Sequence, residues 1–229
     1  MLIRTLVVLA GMAVSTPLVA QTLTVEGTGE VAFEPDIALV TLGVEADAAS
    51  PAEAVAAMGE GLSPVLDSLT QAGIAPRDMQ TGTLNLRPVY AEQSQTRPGE
   101  GPEISGYRAE SLLTVRVRDL DTLGPVLDAA VTEGANRLEG IQWQLSDPEA
   151  AEDAALGAAV ADAVRKAAIM AEAAGLGLGA IEEIREGNVG AMPPQPMMRM
   201  EAADSGMPLA RGEVGVTATV TLEYATVAD

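Results

Sequence analysis

The chain has no cysteine and no histidine, a single lysine, and only five aromatic residues: Phe33, Tyr90, Tyr107, Trp143 and Tyr224. Without cysteine there are no disulfides, no thiolate nucleophile and no thiolate metal site. Without histidine the commonest general base and the commonest transition-metal ligand are both missing. Enzymatic chemistry is therefore not expected. The core must be built from aliphatic side chains and alanine. Basic residues are scarce too: 13 against 33 acidic ones, for a net charge of −20. Such a charge repels nucleic acid and anionic membrane surfaces, so neither is an expected partner.

The first twenty residues read as a secretory signal. Arg4 precedes the apolar run Leu6 to Val14, which is too short to span a bilayer, and Ala20 stands before Gln21. Cleavage there removes Arg4 and no acid, leaving 12 basic residues and a charge of −21. No later segment reaches transmembrane length, so no integral membrane segment is expected after cleavage. Residues 21–229 read as one medium-sized domain, or one domain with an appended loop, and are long enough to build a core.

In chain order, Gly27-Thr28-Gly29 and Pro35-Asp36 punctuate two strands, the second with alternating apolar residues, and predict a hairpin or a β-arch. Ser50-Pro51-Ala52-Glu53 is a capping box. The helix that follows carries Val55, Met58, Leu62, Val65 and Leu69, and Pro64 predicts a kink or two short helices meeting at Ser63. Residues 81–90 read as a strand, with Pro88 pointing to a sheet edge or a bulge. A polar loop follows, and then a long strand, Ile104 to Val117.

Asp119 or Asp121 caps a second helix closed by Gly134, and Leu138 to Leu145 is another strand. Asp147-Pro148 opens the longest helix, ending at Gly175, with Leu156, Val160, Val164, Ala167, Ala171 and Ala174 as its expected buried stripe. Ala180 to Ile184 reads as a strand. Residues 187–212 form a Met- and Pro-rich loop, and Val214 to Tyr224 closes the chain. The expected class is α+β: a largely antiparallel sheet of about seven strands with about three helices packed on it. Residues 64–118 and 158–225 echo one another as helix, glycine, strand, long loop, strand.

These pieces, in this order, resemble the SIMPL-domain family of bacterial periplasmic proteins. The resemblance covers nearly all of the chain after residue 20. It rests on Val25-Glu26-Gly27-Thr28-Gly29 with Pro35-Asp36, on Gly73-Ile74 with Asp78 and Thr81, and on Gly106-Tyr107. It continues through Gly134-Ala135-Asn136 with Gly140-Ile141, Arg165-Lys166-Ala167 with Gly175, and Gly212-Glu213. Arg211 departs from the pattern, which has proline at that place. The resemblance implies an exported α+β protein with no catalytic residues to carry over. Members include a periplasmic immunogenic protein that forms ring-like oligomers and another linked to defence against oxidative stress. The expectation is a periplasmic, non-enzymatic, self-associating protein of the cell envelope or of oxidative-stress physiology, with outer-membrane association left open.

Candidate sites are few. Gly27-Thr28-Gly29 lacks the third glycine and the following helix of a phosphate loop, so turn or bulge glycines are the better reading. Lys166 sits one turn after Asp162 and reads as half of a solvated helix pair. Glu149, Glu152 and Asp153 complement a helix dipole. The sharpest candidate is a set of thioethers, Met192, Met197, Met198, Met200 and Met207. They could hold Cu(I) or absorb oxidants as sulfoxide, against the alternatives of adaptable packing or a loop of biased composition. No catalytic residue and no cofactor is expected.

Overall fold

The computed structural model describes residues 21–91, 103–192 and 209–228. Within them the α+β class holds, and the strands divide between two antiparallel sheets. The first sheet joins β1 (Gln21–Phe33), β7 (Val214–Ala228) and β6 (Leu176–Met192), in that order. The second joins β3 (Met79–Tyr90), β4 (Ile104–Val117), β2 (Ile37–Ala48) and β5 (Arg137–Gln144). Helix α3 (Pro148–Ala174) covers one face of the first sheet, and α1 (Pro51–Gln71) covers one face of the second. Helix α2 (Leu123–Thr132) packs beside α1.

β1 and β2 enter different sheets, so the opening stretch is an arch rather than a hairpin. β1 pairs with the C-terminal strand in unbroken register, from Gln21 opposite Thr226 to Phe33 opposite Val214. The repeated pattern noted in the sequence corresponds to a repeated topology. Helix α1 and hairpin β3–β4 pack with β2, and α3 and hairpin β6–β7 pack with β1 in the same strand order. Each half has its own apolar core. One gathers Val40, Leu42, Val65, Leu69, Leu113, Val115 and Leu123. The other gathers Val25, Val216, Val220, Leu222 and a row of alanines from α3.

The capping box is present: Ser50 Oγ accepts from Glu53 N, and Glu53 Oε2 accepts from Ser50 N at 3.1 Å. α1 runs unbroken through Pro64, contrary to the expected division at Ser63. The carbonyl that Pro64 cannot bond belongs to Glu60, and both residues are exposed, so the missing bond falls on the solvent side of the helix. Val55 faces solvent and Ala54 takes its expected buried place. β3 is an edge strand, as Pro88 implies. β6 extends to Met192, so residues 187–192 belong to a strand and not to the loop.

The largest correction concerns α3. Its buried residues are Ala151, Ala155, Ala159, Ala163, Ala167 and Ala171, spaced four apart. Ala167 and Ala171 are buried as expected, but Leu156 and Val160 only flank the core, and Val164 and Ala174 are exposed. Counting large apolar side chains placed the face on the wrong side, because closeness of approach, not side-chain size, decides this contact.

Candidate functional site

The reason for the alanine row is Gly27 and Gly29. These residues point at α3, and a Cβ added at Gly27 would lie 2.1 Å from the Ala159 carbonyl oxygen. One at Gly29 would lie 2.0 Å from the Ala155 oxygen. Helix backbone rests directly on strand backbone here. A ligand has no space between them, so the glycine stretch is a packing device.

Thr28, between the two glycines, has its N–H on the free edge of β1, because β7 holds the other edge. Asp162 of α3 takes that proton: Thr28 N donates to Asp162 Oδ2 at 3.1 Å. Lys166, one turn on, donates from Nζ to the Glu26 carbonyl at 3.1 Å and pairs with Asp162 at 2.7 Å. Arg165 also contacts Asp162. The lysine pair is therefore not a merely solvated one; it closes a sheet edge. Hydrogen bonds from Lys166, from the Thr28 amide and from Arg165 hold the Asp162 carboxyl well below the usual carboxylate range.

Three more motif residues do similar work. Asp36, at the arch, accepts from Ser146 N at 2.6 Å and from the Ser146 hydroxyl, fixing the corner between the sheets to the start of α3. The Ser146 side-chain bond lowers its pKa. Asn136 imitates a strand residue: its Oδ1 accepts from Glu45 N at 2.7 Å and its Nδ2 donates to Glu45 O at 2.8 Å. That continues the β2–β5 pairing past the end of β5. Asp78, its side chain 5 % exposed, receives a fork from Arg118 at 2.7 to 3.1 Å, and this bond lowers its pKa. Arg211 pairs with Asp121 at 2.6 Å and fastens the start of the closing strand beside α2.

On the open face of the second sheet lies a charge lattice. Arg108 binds Asp47 through two bonds of 2.6 Å and Glu45 at 3.2 Å, and Arg87 reaches Glu45 at 3.5 Å. Arg137 crosses above Gly43, its register partner, to reach Glu110 at 3.0 Å. Its Nε–H is not aligned for a hydrogen bond there, so the contact is ionic. Glu45 and Glu110 face each other across strands, and the arginines offset their repulsion. These carboxylates are matched by cations.

Among the described residues no group of three or more acidic side chains converges as a metal site. Met192 stands on β6 opposite Gly215, while Met197, Met198, Met200 and Met207 lie outside the described residues. Among the described residues an apolar groove of about 290 Å³ lies between α2 and β5, with Leu42, Leu127, Ala130 and Val131 in its lining.

The low pKa of Asp162 has a testable sign. Its unfolded value is near 3.9, about the free carboxylate's. With the folded value lower, the unfolded chain binds more protons between the two, so this contribution is complete above the unfolded value and lost as pH falls through the folded one. Relief of the acidic chain's self-repulsion acts the opposite way, so the comparison must be internal. The gap in melting temperature between the parent protein and Asp162→Asn is expected to be present at pH 6 and to shrink toward pH 2. A gap that is constant over that range would refute the assignment.

The sequence is similar to those of known proteins. The SIMPL family model (protein of unknown function, DUF541) matches residues 23–224. The chain belongs to the SIMPL family. It is 36% identical over 211 residues to the 26 kDa periplasmic immunogenic protein of Brucella melitensis biotype 1, covering 88% of this chain and 83% of that one. It is 31% identical over 180 residues to Escherichia coli (strain K12) "Uncharacterized protein YggE", covering 78% and 70%. The protein of the same name from Edwardsiella ictaluri is 30% identical over 177 residues, covering 77% and 72%. These SIMPL relatives carry no reaction in their names. No helix among the described residues is long and apolar enough to cross a membrane.

The motif residues thus sit where backbone must be closed or approached. Sequence reasoning missed the edge contacts of Asp162, Lys166 and Asn136. The only signal was a polar residue at a fixed place beside a glycine or a strand end, which does not reveal a partner 91 to 140 residues away.

Proposed function

We propose that this SIMPL protein is an exported, periplasmic, non-catalytic protein that self-associates and serves the cell envelope or its response to oxidative stress. Export is supported by the N-terminal signal pattern and by the periplasmic naming of the Brucella relative. The stress role rests on the family resemblance alone. A non-catalytic role is supported by carboxylates already committed to arginine, lysine or backbone partners.

The observation that carries self-association is apolar surface on the hairpins. On β3, Leu84 and Leu86 lie on the face that α1 covers farther in, yet they are 63% and 44% exposed. On β6, Ile181 and Ile184 hold the corresponding places beyond α3, at 42% and 62%. Aliphatic side chains left open at matching places on two sheets are suited to burial against another protein surface. Sedimentation equilibrium on residues 21–229 is the test. The expected result is a mass above the monomer that falls when Leu84 and Ile184 are both changed to Asp. A strict monomer at all concentrations would overturn the proposal.

A further inference from the structure

Each sheet has two edges, and three of the four are visibly protected. β1 is closed by Asp162 and Lys166. β3 carries Pro88 and two register shifts. β6 is interrupted by three register shifts and carries Glu182, Glu183 and Glu186. Charges, prolines and bulges are the usual means of blunting an edge. β5 is different. It ends its sheet, and among the described residues no hydrogen bond reaches its outer side.

The groove beside α2 meets the start of this same strand, at Arg137 and Leu138. α2 packs on α1 and stands off from β5, which leaves the recess lined by Leu42. Val131 on the helix and Leu138 on the strand form its rim and are 61% and 50% exposed. An unpaired strand edge beside an apolar channel bounded by a helix offers an added strand both things it needs: backbone partners, and a place for alternate side chains. Charge narrows the occupant. Asp128 and Glu133 neighbour the lining residues in sequence and are exposed. Arg137, the cation there, is already engaged by Glu110 and Glu139. A second copy would bring another strongly acidic chain.

We propose that β5 and the α2 groove bind an extended segment of another protein by strand addition, the segment being neutral or basic with aliphatic side chains at alternate positions. The site does not depend on self-association, since it uses a different edge from the Leu84 and Ile184 surfaces.

The test uses residues 21–229 and an end-blocked peptide, Lys-Val-Thr-Val-Lys-Val. Trp143, the sole tryptophan, lies on β5 and reports occupancy by fluorescence. Amide exchange at residues 137–144 reports strand addition. The expected result is saturable binding with slowed exchange over β5. Binding should weaken about tenfold or more in Val131→Arg, an exposed position whose change leaves the fold intact. It should weaken likewise when glutamate replaces the peptide's lysines or alternate peptide amides are methylated. Absence of saturable binding, or binding indifferent to Val131→Arg and to amide methylation, would overturn the proposal. So would β5 amides that are already protected without peptide, whether by the chain's own residues or, with concentration dependence, by a second copy.

Discussion

Changing Gly29 to valine is expected to destabilise the protein by about 3 kcal/mol or more, the upper range for overpacking a rigid contact. The obstacle is the Ala155 carbonyl, 2.0 Å from where the Cβ would stand, with the Ala159 nitrogen at 2.5 Å. Neither is the end of a flexible side chain, so the helix or the strand must move as a body. For a domain of this size each kcal/mol lowers the melting temperature by about 2–4 °C, so a fall of roughly 6–12 °C is expected. Gly59 supplies the control. It lies inside α1 with nothing within 4 Å of a built Cβ, and Gly59→Ala should be neutral or stabilising by up to about 1 kcal/mol. Equal effects of Gly29→Val and Gly59→Ala on thermal melting would rule out the close approach.

Ala163→Leu is expected to cost about 2–3 kcal/mol, while Val164→Ala next to it should change stability by less than about 1 kcal/mol. Ala163 has no exposed surface, and its Cβ would lie 2.6 Å from a Cβ at Gly27. Val164 is 42% exposed, and alanine there gains helix propensity as the β-branched side chain is lost. Usual intuition orders these two changes the other way, since losing a valine looks worse than enlarging an alanine. Denaturant midpoints of the two variants decide it. A larger loss for Val164→Ala would restore the stripe of Leu156, Val160 and Val164 as the buried face.

The difference between those two stripes marks how far the sequence could be read. Element types were legible wherever a local rule acts alone. Ser50 to Glu53 capped a helix, Gly134 and Gly175 closed two others with positive φ, and Ile104 to Val117 gave a strand with those bounds. Partners were not legible. Nothing in the order of residues says that β1 waits for β7, some 190 residues later, or that the two opening strands part into separate sheets. The face of α3 was misread because alanine carries little apolar area, while its virtue here is smallness. The glycines, read as turn or bulge residues, are neither: β1 pairs with β7 in unbroken register through both. What they do became visible only with α3 laid across them.

The same limit applies to function. Asp36, Asp78, Asn136 and Asp162 have the residue types of a polar site, but their partners are a serine, two arginines, a lysine and strand backbone. The residues that carry the family resemblance therefore describe how a two-sheet SIMPL fold is closed. Surfaces available to partners lie elsewhere, on the apolar hairpin faces and along β5.

The most direct measurement is amide hydrogen exchange at Thr28. On an uncovered edge this N–H would face water and exchange quickly. With Asp162 as its acceptor it is expected to be strongly protected in the parent protein, and Asp162→Ala should release it while the β7-paired amides of β1 stay slow. Rapid exchange of Thr28 in the parent protein, or protection unchanged by Asp162→Ala, would contradict closure of the β1 edge by α3.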